Sequence, residues 1–194
     1  MAKRHFTDLE CRDTVYITPD YLLNPIRDYF GGQIPLDPAT EPTNPSKASV
    51  FCVAPPGAAD LPPNARIDGL REQWSKHDGV FVNPPYGEIM PVWCRKIYQE
   101  SIFGLPIFAL LPAGARFSTR YFQRFIFSQG LQAAFFHSGR VPFLRRDGTV
   151  AKQNPFDSVI YLYNVDLERV IECFDGQTRP CGKPMGKLME MKVI

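Results

Sequence analysis

Six consecutive residues, Pro106-Ile107-Phe108-Ala109-Leu110-Leu111, carry no polar side chain and are bounded by Gly104 on one side and Pro112-Ala113-Gly114 on the other. The run is too short for a helix and does not alternate, so it reads as a strand that is apolar on both sides. Such a strand belongs in a parallel sheet, because only helices laid over each face keep both sets of side chains dry. The rest of the chain meets that requirement. Thr18-Pro19-Asp20 offers a hydroxyl N-cap ahead of a proline at the first helical position. Tyr21, Leu22, Ile26, Tyr29 and Phe30 then recur at helical spacing, and Gly31-Gly32 closes the helix. Residues 33–36, 48–53 and 79–82 read as strands, 91–103 as a second helix, 118–129 as a third closed by Gly130, and 166–174 as a last short one. The final third turns to strands over 133–136, 141–144 and 158–163, with Asp147-Gly148 as a hairpin turn. The expected fold class is α/β, an open, mainly parallel sheet with a hairpin-rich C-terminal part, in a single domain of 194 residues. Within it, residues 1–14 read as a polar N-terminal arm, 54–66 as a long mobile loop and 175–194 as a C-terminal tail.

Several classes are excluded by composition. The run 103–114, free of charged or strongly polar residues, is broken by Gly104, Pro106 and Pro112 and falls short of the ~20 apolar residues that span a bilayer. Residues 1–13 carry charges of both signs and no apolar segment of a secretion signal, so the cytoplasm is the expected address. A net charge of +2 neither demands nor forbids a polyanionic partner. The 5 cysteines (Cys11, Cys52, Cys94, Cys173 and Cys181) form no C-x-x-C, and only His5, His77 and His137 are present to help them. They read as reduced, packing residues, with no metal site.

Ligands of open α/β sheets bind beyond the carboxyl ends of the strands, which selects Asp37-Pro38-Ala39-Thr40 and Asn83-Pro84-Pro85-Tyr86-Gly87. Among 19 prolines there are pairs at 55/56, 62/63 and 84/85, and only the last follows a strand and precedes an aromatic residue. The other two read as loop punctuation. Pro84 and Pro85 have no N–H and a fixed φ, and a residue before proline is driven out of helical geometry. The Asn83 side-chain oxygen and the Pro84 carbonyl then form a rigid pair of acceptors without a competing donor. Such a pair suits an amino group conjugated to a π-system. Binding both of its hydrogens favours a pyramidal nitrogen and stabilises the positive charge that grows as it attacks an electrophile. Tyr86 is suited to stack on a flat substrate, and Gly87 to let the backbone approach.

Asn83-Pro84-Pro85-Tyr86 resembles the catalytic motif of S-adenosylmethionine-dependent amino methyltransferases, which act on adenine N6, cytosine N4 or a protein glutamine amide. The chain also carries Thr18-Pro19 before a helix, Asp37-Pro38-Ala39, Asp68-Gly69-Leu70 followed by Trp74, Trp93 and Lys96, Leu110-Leu111-Pro112-Ala113 and Gly139-Arg140-Val141-Pro142-Phe143. This ordered set, over residues 15–163, resembles the phage-type DNA N6-adenine methyltransferase family.

The resemblance implies a Rossmann-like class I methyltransferase fold and a site-specific transfer from S-adenosyl-L-methionine to the N6 amine of a flipped-out adenine. It implies double-stranded DNA as partner, no metal, and a bacterial or phage-infected cytoplasm, and it is compatible with a restriction-enzyme partner. Oligomeric state and target sequence stay open. The implied catalytic residues are Asn83, Pro84, Pro85 and Tyr86, and the implied cofactor residues are Thr18, Pro19, Asp37, Pro38, Ala39 and Asp68. In this assignment Asp37 accepts from the cofactor ammonium, Thr18 donates to its carboxylate, and Asp68 meets its adenine amino group or is merely an Asp before a turn glycine. No G-x-G follows the first strand and no acidic residue ends the second, where Phe51-Cys52-Val53 runs into Ala54-Pro55, so the ribose partner is unassigned. The implied reaction is a direct in-line transfer with no covalent enzyme intermediate, hence no nucleophilic cysteine. The second half is the more basic, with Arg120, Arg124 and Lys152 besides Arg116, Arg140, Arg145 and Arg146, the four favoured for DNA contact. The alternatives are cytosine N4, RNA or protein glutamine as substrate, or an inactive nucleic-acid-binding relative.

Overall fold

The computed structural model describes residues 16–55, 57, 60–128, 130–151 and 156–192. The expected N-terminal arm, His5, Cys11 and Lys152 lie outside them. The elements in chain order are α1 (Asp20–Tyr29), β1 (Leu36–Asp37), β2 (Val50–Val53), β3 (Ala65–Ile67), β4 (Val80–Val82), α2 (Met90–Ser101), β5 (Ile107–Pro112), β6 (Leu131–His137), β7 (Ser158–Tyr163), α3 (Leu167–Phe174) and β8 (Gly186–Glu190). One sheet holds all eight strands in the order β3-β2-β1-β4-β5-β7-β6-β8. The pairs from β3 through β5 are parallel, and β7 runs antiparallel to both β5 and β6.

The apolar run lies in the middle of this sheet, and every residue of β5 is buried. Its alternate side chains serve two cores. Phe108 and Leu110 meet Leu22, Leu23 and Ile26 of α1 and Val170 and Phe174 of α3. Ile107, Ala109 and Leu111 face Trp93, Cys94 and Ile97 of α2. Each large side chain so enclosed contributes roughly 1.5–3 kcal/mol, which makes β5 and its two neighbours the rigid base of the site.

The local signals at the chain ends of α1 act differently from expectation at one end. Gly31 and Gly32 adopt φ of 80° and 112° and close the helix, with Gly32 N–H donating to the Arg27 carbonyl at 2.7 Å. At the start, however, Pro19 itself is the cap residue and no side chain caps the helix. The Thr18 hydroxyl is engaged elsewhere, as described below.

The helix expected over 118–129 is replaced by a 3-10 turn at Gly114–Ser118 and a π-helical turn at Phe122–Ile126. Phe122 and Ile126 are both fully buried, and the Tyr163 hydroxyl donates to the Ile126 carbonyl at 2.7 Å. That bond takes the acceptor a continuing helix needs, while Phe127 N–H reaches back five residues to Phe122. The strand expected over 141–144 is also absent. Pro142 lacks an N–H and Phe143 N–H bonds to the Val141 carbonyl at 2.9 Å, a three-residue turn that breaks the pleat. Only Leu144 makes bridges, to Ile17 and Val150, around the Asp147-Gly148 turn.

Two strands arise where none is legible. Ala65–Ile67, partly inside the segment read as a loop, is β3 at the sheet edge, and Gly186–Glu190, in the segment read as a tail, is β8 on β6. Both are edge strands with Ile67 and Met189 about half exposed, so neither shows the apolar pattern of a buried strand.

Candidate active site

From β1 the chain passes to β2 and β3 on one side and only then to β4 and β5 on the other. The crevice of an open α/β sheet opens where the order reverses, here between the carboxyl ends of β1 and β4. These strands are hydrogen-bonded neighbours in parallel register, Leu36 opposite Val80. Asp37 ends β1, and Asn83 follows β4 directly.

Asp37 is 3 % exposed, and its Oδ1 accepts from the Ala39 N–H at 3.1 Å. Burial raises its carboxyl from the ordinary 3.8 to about 6, against the pull of the Ser46 hydroxyl, the Ala39 N–H and the Thr40 hydroxyl. None of these groups is cationic, so among the described residues the side chain is a buried carboxylate without a positive partner, the environment in which an incoming cation gains most. Pro38 is buried beside it. A Cβ on Gly69 would lie 1.8 Å from the Pro38 carbonyl oxygen, so the Asp68-Gly69 backbone rests directly on the Pro38 loop and requires glycine there. Asp68 has φ of 65°, accepts from the Leu70 N–H at 3.2 Å and pairs with Arg71 at 3.2 Å. Its carboxylate forms an Asx-type turn beside the Pro38 loop.

Helix α2 pins the segment that follows. Trp74 Nε1 donates to the Gly69 carbonyl at 2.8 Å, and Lys96 Nζ donates to the Glu72 carbonyl at 2.7 Å while pairing with Glu100 at 2.6 Å. The other Glu100 oxygen accepts from the Ser75 N–H at 3.1 Å. Lys96 thus braces the segment from Glu72 to Ser75 together with Glu100, and the Trp93 ring lies 6.3 Å from that of Trp74.

In the Asn-Pro-Pro-Tyr corner, Pro84 is buried, Pro85 exposed, and Asn83 and Tyr86 half-buried. Asn83 Nδ2 donates to the Tyr16 carbonyl at 3.2 Å and to the Thr18 hydroxyl at 3.1 Å. Tyr86 donates its hydroxyl to the Leu110 carbonyl at 3.3 Å, and its ring stands edge-on to Phe156 at 6.1 Å. Burial pushes the Tyr86 phenol well above its usual range, so it stays protonated and acts as an aromatic surface and donor rather than a base. Gly87, at φ of 148°, turns the chain into α2.

The four favoured arginines divide. Arg116 lies over the Phe156 ring at 5.6 Å, on the Tyr86 side, and Arg140 Nε is 3.8 Å from Asp157. Arg146 pairs with Glu41 at 2.8 Å, which lays the hairpin tip on the loop that follows Asp37. Arg145 is exposed at the same tip. The residues not anticipated from sequence are Tyr16, Glu41, Ser46 and Phe156. Tyr16, Glu41 and Phe156 act through contacts with residues far along the chain, Asn83, Arg146 and Tyr86, and no local pattern marks them.

Among the described residues, no group of three His, Cys, Asp or Glu side chains is arranged to hold a metal, and no helix is long and apolar enough to cross a membrane. Burial raises the thiols of Cys52 and Cys94 to about 12, far from the thiolate a nucleophile requires. Comparison with known proteins gives one family result: the model described as DNA N-6-adenine-methyltransferase (Dam) matches residues 6–175. No curated protein matches the chain.

Proposed function

The chain belongs to the DNA N-6-adenine-methyltransferase (Dam) family and is a DNA adenine N6-methyltransferase, and on that premise we propose that it methylates a flipped-out adenine at a short target site, using S-adenosyl-L-methionine. The observation that carries this reading is the juxtaposition of Asp37 and Asn83 on the carboxyl ends of adjacent parallel strands. One is a carboxylate buried without a cation among the described residues; the other begins the acceptor corner for an amine. The order β3-β2-β1-β4-β5, with its reversal between β1 and β4, supports a Rossmann-like sheet of the class I methyltransferase kind in a single domain.

The residues fit the cofactor at its charged end. Asp37 would accept from the ammonium, which relieves the strain of an ionised carboxyl lifted to about 6. Thr18, whose hydroxyl already accepts from Asn83, keeps its own hydrogen to donate to the carboxylate. Asp68, with Gly69 packed on Pro38, lies where the adenosine end would rest. When bound, S-adenosylmethionine supplies an electrophilic methyl group on sulfur.

On the substrate side, Asn83 Oδ1 and the Pro84 carbonyl would accept the two hydrogens of the adenine amine and favour the pyramidal nitrogen that can attack. Pro85 keeps the corner stiff, and Tyr86, fixed through Leu110, presents its ring to the base. Extrusion from the duplex costs a few kcal/mol, which stacking on Tyr86 would partly offset. Arg116 and Arg140 on one flank and Arg145 and Arg146 on the other would meet phosphates on either side of the pocket. A bacterial or phage-infected cytoplasm suits such a substrate. The test is transfer from tritiated cofactor to DNA, RNA and protein offered in parallel, followed by sequencing with base-modification detection. Label in DNA at adenine N6 is the expected result, and label confined to RNA or protein would overturn the reading.

A further inference from the structure

An asparagine is an ambiguous acceptor. Its amide has one oxygen and one NH2 of nearly equal size, and turned the wrong way it presents two hydrogens to a substrate amine that needs an acceptor. The contacts of Asn83 remove this ambiguity. The Tyr16 carbonyl can only accept, so the group 3.2 Å from it must be Nδ2. The second hydrogen of Nδ2 goes to the Thr18 hydroxyl at 3.1 Å. Both amide hydrogens are thus engaged on one side, and Oδ1 is turned away from them.

The segment making these bonds is itself held in place. Ile17 exchanges both backbone hydrogen bonds with Leu144, at 2.8 and 2.9 Å, and the Tyr16 ring packs edge-on to Phe143 at 5.8 Å. Thr18 is buried at the entrance to α1 and spends no side-chain oxygen on capping that helix. A hydroxyl beside a proline cap would ordinarily serve the helix; here it serves an amide 65 residues away in the chain.

We propose that Thr18, together with the Tyr16 carbonyl, is a positioning residue that sets the sense of the Asn83 amide and keeps Oδ1 aimed at the substrate amine. This rests on the substrate role of Asn83 given above. The same geometry calls for an amide rather than a carboxylate at position 83, since the oxygen of an ionised Asp would confront the Tyr16 carbonyl with no hydrogen between them.

The decisive comparison is Thr18→Val against Thr18→Ser in the full chain, with kcat measured at saturating S-adenosylmethionine. Loss of one amide tether is expected to lower kcat about tenfold in Thr18→Val, the scale set by one hydrogen bond, and Thr18→Ser is expected to recover most of it. A role limited to cofactor capture would instead raise the cofactor KM and leave kcat intact at saturation, which would overturn the proposal. A second readout needs no turnover. In protein labelled with 15N-asparagine, the side-chain pair of Asn83, assigned by its loss in Asn83→Ala, should exchange with solvent several-fold faster in Thr18→Val than in the parent. Equal exchange rates would overturn the proposal whatever the activity. A parent chain that methylates no DNA but shows the exchange difference refutes the function and upholds the orientation. Normal DNA methylation with an unimpaired Thr18→Val refutes the orientation alone.

Discussion

Replacing Asp37 by Asn should make the protein more stable and less able to bind its cofactor. The folded state raises the Asp37 carboxyl from 3.8 to about 6, chiefly by burial. A carboxyl raised in this way favours folding most below about pH 4, where it is protonated in both states, and that advantage is lost as pH rises through about 6. At pH 8 the ionised group therefore costs the fold about 3 kcal/mol, at 1.36 kcal/mol for each unit of pKa. Asn carries no charge and retains an oxygen for the Ala39 N–H that Asp37 accepts at 3.1 Å. Asp37→Asn is expected to raise the melting temperature at pH 8 by about 6 to 12 °C for a chain of this length. The difference should shrink toward zero at pH 4. Calorimetric unfolding of parent and variant at both pH values measures this directly, and titration with S-adenosylhomocysteine should show at least about a tenfold weaker affinity in the variant. A variant no more stable than the parent at pH 8, or equally stabilised at pH 4 and pH 8, would refute the argument that a buried, uncompensated carboxylate waits at the end of β1.

Asn83→Ala should lower methyl transfer about 10²-fold while S-adenosylhomocysteine still binds, because the acceptor on the amine is removed while Asp37 and the Thr18 hydroxyl remain for the cofactor. Gly69→Ala would bring a methyl group to 1.8 Å from the Pro38 carbonyl oxygen. Urea unfolding should show a loss of about 3 kcal/mol, and the displaced loop should also weaken cofactor binding. Arg146→Gln frees Glu41 and removes one cation from the hairpin tip; the slope of log affinity for DNA against log salt should fall by about 1, with cofactor affinity unchanged.

What the chain reveals unaided follows from contacts close in sequence. The apolar run 106–111 and the strand 158–163 are dictated by their own composition, and they reappear as Ile107–Pro112 and Ser158–Tyr163. Gly31-Gly32 ends α1, and Asp166 caps α3 by accepting from the Arg169 N–H. The Asn-Pro-Pro-Tyr corner is stiff by covalent geometry alone and is legible for the same reason. The misread segments are those where a distant partner outweighs a local preference. Tyr163 captures the Ile126 carbonyl, and the expected helix stops there in a π-helical turn. The edge strands β3 and β8 exist because β2 and β6 offer unpaired backbone, which their own polar sequences do not announce. Within the candidate site, the residue types at Asp37 and Asn83 are visible in the chain, but their proximity comes from parallel pairing of β1 with β4. The raised pKa of Asp37 comes from its burial, and the sense of the Asn83 amide from Tyr16 and Thr18. Local backbone restriction and side-chain periodicity act over a few residues and can be read along the chain; desolvation and hydrogen-bond complementarity depend on which distant groups the fold brings together.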